Sequence, residues 1–121
     1  MIVLDASAMI AFLEHEEGRA EVETALEAGA AAGAANWSEV VQKMRDLSKD
    51  WEMARAILAT YDFVVEPVTV ADAEAAAHAW QRGSGLSLGD RLCLALGERL
   101  DADVLTADRA WGTTGRVRQI R

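Results

Sequence analysis

Short apolar runs suited to β-strands alternate with segments of helical spacing, and this alternation restricts the fold more than any other feature. Ile2-Val3-Leu4-Asp5, Phe63-Val64-Val65 and Asp103–Thr106 read as strands, with Val117–Ile120 as a candidate edge strand. Ala8–Leu13 reads as a short helix. From Gly18 a second helix puts Val22, Ala25 and Leu26 on one face and Glu21, Glu23 and Glu27 outside. Trp37 to about Leu47 carries Val40, Val41, Met44 and Leu47 at helical spacing, and Asp50 caps a helix through Ala59. Thr69-Val70-Ala71-Asp72 starts an Ala-rich helix in capping-box style, running to Gln81 before Gly83-Ser84-Gly85. Ser87 starts a long helix to Leu100. The Ala/Gly-rich segment Ala28–Ala35 is either a short second strand or a loop; composition does not decide. The class is α/β with a mainly parallel central sheet. Ile2–Leu4, apolar on both faces, belongs at its centre.

Four acids stand at equivalent points of this plan. Asp5 and Asp108 lie just past the C-terminal ends of predicted strands. Glu39 and Asp90 fall in first turns of predicted helices, in Asn36-Trp37-Ser38-Glu39 and Ser87-Leu88-Gly89-Asp90. In an open α/β sheet these ends crowd around one crevice. Like charges gathered there are costly, and a hard divalent cation is the usual compensation.

Each acid also has a structural alternative. Asn36-x-x-Glu39 and Ser87-x-x-Asp90 resemble capping boxes, Asp108 can cap the turn at Arg109-Ala110-Trp111, and Asp5 can end a strand. Asp5 is the hardest to explain that way, because a carboxylate closing a buried run needs a partner. Ser7 and Thr106, each two residues from an acid, serve either as auxiliaries that orient carboxylates or as caps. His15 and His78 lack ligand spacing, and Cys93 reads as a small core residue in an apolar helix. With no Cys/His cluster, oxygen ligands select Mg²⁺ or Mn²⁺ over zinc. The four tryptophans, Trp37, Trp51, Trp80 and Trp111, read as apolar packing residues rather than base-stacking platforms; Trp111, beside Asp108 and Arg109, is the one placed for such a contact.

At 121 residues the chain is expected to form a single domain spanning 1–121. No basic leader precedes Ile2 and no stretch reaches membrane-spanning length, so a cytoplasmic protein is expected, with no membrane partner. The net charge of −8 opposes nucleic-acid binding, which needs Lys and Arg. Its distribution is uneven: the late arginines Arg109, Arg116, Arg118 and Arg121 form either a phosphate-facing rim or a scatter over a solvated surface.

Taken together, Ile2-Val3-Leu4-Asp5-Ala6-Ser7-Ala8, Asn36-Trp37-Ser38-Glu39-Val40-Val41-Gln42-Lys43, Leu86–Leu96 and Val104-Leu105-Thr106-Ala107-Asp108-Arg109-Ala110-Trp111 resemble the four motifs of PIN-domain ribonucleases. The likeness is to VapC toxins of bacterial toxin–antitoxin pairs, and covers nearly the whole chain in matching order and spacing. It implies a PIN-like three-layer α/β/α domain and a metal-dependent endoribonuclease acting on RNA. It further implies a homodimer held inactive by a VapB-type antitoxin. The acidic quartet of the family falls on Asp5, Glu39, Asp90 and Asp108, with Thr106 as auxiliary. Asp5, Asp90 and Asp108 are then the metal ligands, and Glu39 is a ligand or the base. The Ala/Gly-rich stretch before Asn36 departs from the β-branched strand usual in relatives.

Two rivals remain. A receiver-type phosphoacceptor domain also gathers acids around Mg²⁺, but needs a late lysine, and both lysines here, Lys43 and Lys49, precede the midpoint. A catalytically inactive PIN-like binding module keeps the fold and loses the chemistry.

Overall fold

The computed structural model describes residues 1–121. Its centre is a five-stranded sheet of β1 (Ile2–Leu4), β2 (Ala30–Gly33), β3 (Phe63–Glu66), β4 (Val104–Thr106) and β5 (Val117–Gln119). The order is β3-β2-β1-β4-β5, and every pair is parallel, where the sequence predicts mainly parallel pairing. The helices are α1 (Ala6–Leu13), α2 (Arg19–Ala28), α3 (Ala34–Asp46), α4 (Trp51–Ala59), α5 (Val70–His78) and α6 (Leu88–Leu100). No helix is long and apolar enough to cross a membrane.

Successive side chains of a strand face opposite ways, so β1 feeds two cores. Leu4 packs with residues of α1 to α4, including Phe12, Leu26, Val40 and Leu58. Val3 packs on the other face with Cys93 and Leu96 of α6, Val104, Trp111 and Val117. Helix α5 lies against α6. The result is a three-layer α/β fold.

The ambiguous Ala/Gly segment is strand β2, buried at every residue. It pairs with β1 on one side and β3 on the other. Ladder bonds to two neighbours supply what the weak β-propensity of alanine lacks.

Three helices differ from the sequence reading at their ends. Helix α1 starts at Ala6, because Asp5 accepts from the Ala8 N–H and acts as N-cap. Helix α3 starts at Ala34, with Gly33 as N-cap, so Asn36 lies inside the helix and Glu39 in its second turn; the predicted Asn36-x-x-Glu39 capping box does not form. Helix α5 stops at His78 rather than Gln81. There Trp80 N–H turns to Ala77 O, a tighter bond than the α-helical one, and the chain peels away.

From β1 the chain winds through β2 to β3, then crosses to β4 and β5 on the other side. The strand order reverses between β1 and β4, and ligands of such sheets bind at the carboxyl ends flanking that point. Asp5 follows β1 and Thr106 closes β4.

Candidate active site

Asp5 is only 4% exposed. Its N–H donates to Leu105 O at 3.1 Å, tying the end of β1 to β4. Its Oδ1 accepts from Ala8 N–H at 2.8 Å and from the Ser7 hydroxyl at 2.7 Å, and its Oδ2 accepts from the Thr106 hydroxyl at 2.6 Å. Ser7 Oγ accepts from Ala107 N–H at 2.8 Å, and Thr106 Oγ1 from Asp108 N–H at 3.0 Å. Each hydroxyl has one proton. With both given to Asp5, the 3.3 Å approach of Ser7 Oγ to Thr106 Oγ1 has none left to share.

Three hydrogen bonds favour the ionised form of Asp5, yet burial outweighs them. Desolvation pushes its carboxyl from 3.8 up to about 6, and the negative charge of Asp90 adds to the shift. The buried Cys93 thiol is pushed well above its ordinary value, by burial first and then by Asp5, Asp90 and Glu39. Three acids from three elements thus act on one point beneath the crevice, where Cys93 is a core residue as its setting predicts.

Asp90 and Asp108 both cap helical turns. Asp90 Oδ2 accepts from Ser87 N–H at 2.9 Å, and Ser87 Oγ accepts from Asp90 N–H at 3.1 Å, completing the predicted capping box. Asp108 Oδ1 accepts from Ala110 N–H at 2.9 Å at the head of a 3-10 turn, Arg109–Trp111. Asp108 joins the centre through its backbone bond to Thr106. Cap and crevice are therefore not alternatives, since each carboxylate keeps its second oxygen free of protein partners.

Glu39 is exposed. Its Oε1 accepts at 2.8 Å from Nδ2 of Asn36, which also donates to Gly89 O at 3.2 Å. The local sequence points to Asn36 as a cap and to no role for Gly89. The signal that separates the two uses is a polar residue one helical turn from an acid on a helix that starts earlier. Beside Glu39 runs a groove of about 540 Å³ lined by Ala6, Ile10, Gln42, Lys43 and Asp46.

No three acidic, histidine or cysteine side chains close around one point at metal-ligand range. What the crevice offers a cation is oxygen alone, the donor of hard divalent ions. The buried Asp5 senses Asp90, and neither carboxylate has a Lys or Arg partner. That uncompensated charge fits a divalent ion, reached by turning the free oxygens of the capping acids.

The predicted arginine rim is largely neutralised. Arg116 pairs with Glu98 and Asp101, Arg118 with Asp103 and Arg121 with Glu16, which leaves exposed Arg109 without an ion pair. Trp111 is buried in the core beside α6, so its ring is not available to stack on a base. Trp80, expected to pack, is 51% exposed and lies near Arg82 instead; Trp37 and Trp51 do pack, edge to face at 5.0 Å.

The chain matches the family described as PIN domain over residues 2–117. No curated protein matches it in sequence. Among solved structures, a toxin–antitoxin complex from Klebsiella pneumoniae is similar at TM-score 0.77 and 20% identity, covering 100% of this chain and 98% of that one. A sarcin-ricin loop cleaving VapC toxin of Mycobacterium tuberculosis is similar at TM-score 0.69 and 16% identity, over 88% of both chains. A VapBC pair from Rickettsia felis, bound to a DNA fragment from their promoter, gives TM-score 0.71 and 14% identity over 98% of both. Identities this low establish the shared fold.

Proposed function

The chain belongs to the PIN-domain family, and from that premise we propose that it is a divalent-metal-dependent endoribonuclease toxin of the VapC type. Residues 1–121 act in this reading as one PIN-like domain, in the cytoplasm, as a homodimer restrained by a VapB-type antitoxin. The observation that carries the reading is Asp5, a buried carboxylate at the strand-order reversal, facing the charge of Asp90 with no cationic partner. The antitoxin proposal rests on the fold shared with a toxin–antitoxin complex and a VapBC pair.

Asp5, Asp90 and Asp108 would hold Mg²⁺ or Mn²⁺, with Glu39 joining them directly or through water. When bound, such an ion lowers the pKa of water and stabilises charge on the entering and leaving oxygens of the phosphodiester. Thr106 and Ser7 hold Asp5 in one orientation through their hydroxyl protons. In the alternative role, Glu39 would instead take the proton from the attacking water. Water adds to phosphorus, the bond to the 3′-oxygen breaks, and the products are a 5′-phosphate and a 3′-hydroxyl. Arg109, next to Asp108, and Lys43, one helical turn beyond Glu39, are near enough in sequence to meet flanking phosphates, whereas Arg91, next to Asp90, donates to Ala76 O instead.

A catalytically inactive binding module is the second reading, and it is favoured by the lack of any three acidic, histidine or cysteine side chains closed around one point at metal-ligand range. One experiment separates the two. RNA is incubated with the purified chain in Mg²⁺, Mn²⁺ or chelator, beside Asp5→Asn and Asp90→Asn. Metal-dependent cleavage lost in both variants, with 5′-phosphate ends, supports the nuclease. Metal-independent cleavage or a 2′,3′-cyclic phosphate end overturns the mechanism, and binding without cleavage supports the module.

A further inference from the structure

We infer that Asn36 and Gly89 form a seat that fixes the Glu39 carboxylate against the first turn of α6, which makes Asn36 a positioning residue for the reaction. The inference rests on the nuclease reading above. Asn36 is 1% exposed inside α3, and a polar side chain so buried needs a reason. Its Nδ2 donates to Glu39 Oε1 at 2.8 Å and to Gly89 O at 3.2 Å. Both partners are acceptors, so the amide has only one workable orientation; flipped, it would set oxygen against oxygen twice. Its Oδ1 has no partner at all. The side chain is thus retained with an unsatisfied buried acceptor, a cost an apolar residue of similar size would avoid. What it provides is a bond from α3 to α6 and a fixed partner for an exposed glutamate.

Gly89 supplies the other wall of the seat. A Cβ there would lie 2.9 Å from Glu39 Oε1, 3.2 Å from Cδ and 3.3 Å from Oε2. The carboxylate therefore rests on the Gly89 backbone, one residue before Asp90. Gly89 has no positive φ, so glycine is not needed for the backbone. Its missing side chain is room for Glu39.

The two walls predict different variants. Asn36→Ala removes the donor and should lower kcat for RNA cleavage at least tenfold with KM within twofold. Gly89→Ala displaces only the flexible end of Glu39 and adds a better helix former, so it should lower kcat comparably while the melting temperature holds or rises. A residue with a merely structural role does not lose kcat while gaining stability, so Gly89→Ala keeps the test valid if Asn36→Ala fails to fold. A second readout needs no catalysis: in the chelated protein, the Asn36 side-chain amide resonances should shift in Glu39→Gln. Wild-type kcat in Gly89→Ala, or Asn36 amide resonances indifferent to Glu39→Gln, would overturn the seat. A wild-type protein that cuts no RNA would defeat the nuclease reading alone, because the amide measurement still reports on the seat.

Discussion

Thr106 donates its hydroxyl proton to Oδ2 of Asp5 at 2.6 Å, across the strand pair where the order of the sheet reverses. Thr106→Val keeps the volume and removes that donor. The Asp5 carboxyl should then titrate above its present value of about 6. At pH 8, where the bond is to a charged group, the variant should lose about 1.5–3 kcal/mol; at pH 4, with Asp5 protonated, the loss should fall to about 0.5–1.5 kcal/mol. Urea denaturation at both pH values measures this, and an equal loss at the two would contradict it.

Asp5 itself predicts the pH dependence of the metal-free protein. Burial raises its carboxyl from 3.8 to about 6 on folding, so the folded state binds the proton more tightly. Such a group favours folding below pH 4, and that contribution disappears as pH rises through 6, by about 3 kcal/mol. Asp5→Asn should therefore gain on the wild type between pH 4 and 7 in chelator. A constant difference across that range would mean Asp5 stays ionised.

Asp90→Asn separates a cap that also serves a cation from a cap alone. Asparagine keeps an oxygen to accept from Ser87 N–H, while the repulsion with Asp5 goes. In chelator its melting temperature should equal or exceed that of the wild type. Mn²⁺ should stabilise the wild type by about 2.7 kcal/mol at a hundredfold excess over its dissociation constant. The variant should respond much less; equal shifts in both proteins would assign Asp90 to the cap only.

Gly97 predicts a packing limit far from the chemistry. A Cβ there would stand 2.6 Å from Val104 Cγ2 and 3.2 Å from Ala102 O, one of them backbone. Alanine gains up to about 1 kcal/mol of helix propensity and loses about 1–3 kcal/mol to overpacking. Gly97→Ala should be destabilised on balance, read as a lower urea midpoint with an unchanged slope.

Most of the layer plan was legible because apolar runs and helical spacing survive in composition. Ile2–Leu4 announces a central strand by being apolar on both faces, and the capping boxes at Thr69 and Ser87 stand where their residues indicate. Ala30–Gly33 was not legible, since its strand state comes from two flanking ladders and not from its own side chains. The same cause hid the start of α3: once β2 ends at Gly33, the helix begins at once, and Asn36 becomes an interior donor in place of a cap. At the site, the convergence of Asp5, Glu39 and Asp90 follows from strand order, whereas the neutralised arginines and the buried Trp111 depend on contacts that no local pattern encodes.

Strand β2 presents alanine at three successive positions before Gly33, all buried. A slip of one residue against its neighbours would exchange alanine for alanine at two of these three positions and bring a glycine, Gly29 or Gly33, to the third. Side chains elsewhere forbid such errors, because a slip turns large residues to the wrong face; here they are silent. Yet the same slip would carry Asn36 and Glu39 about 3.3 Å along the strand direction, away from Gly89. The correct alignment must be read at the ends of the strand, at Gly29, where a Cβ would meet Asp62, and at the Asn36 bridge to α6. The register of β2 is thus set from outside the strand, by the buried Leu26 and Val40 of the helices that abut it as much as by its ends, and valine at a β2 position would trade that ambiguity for crowding.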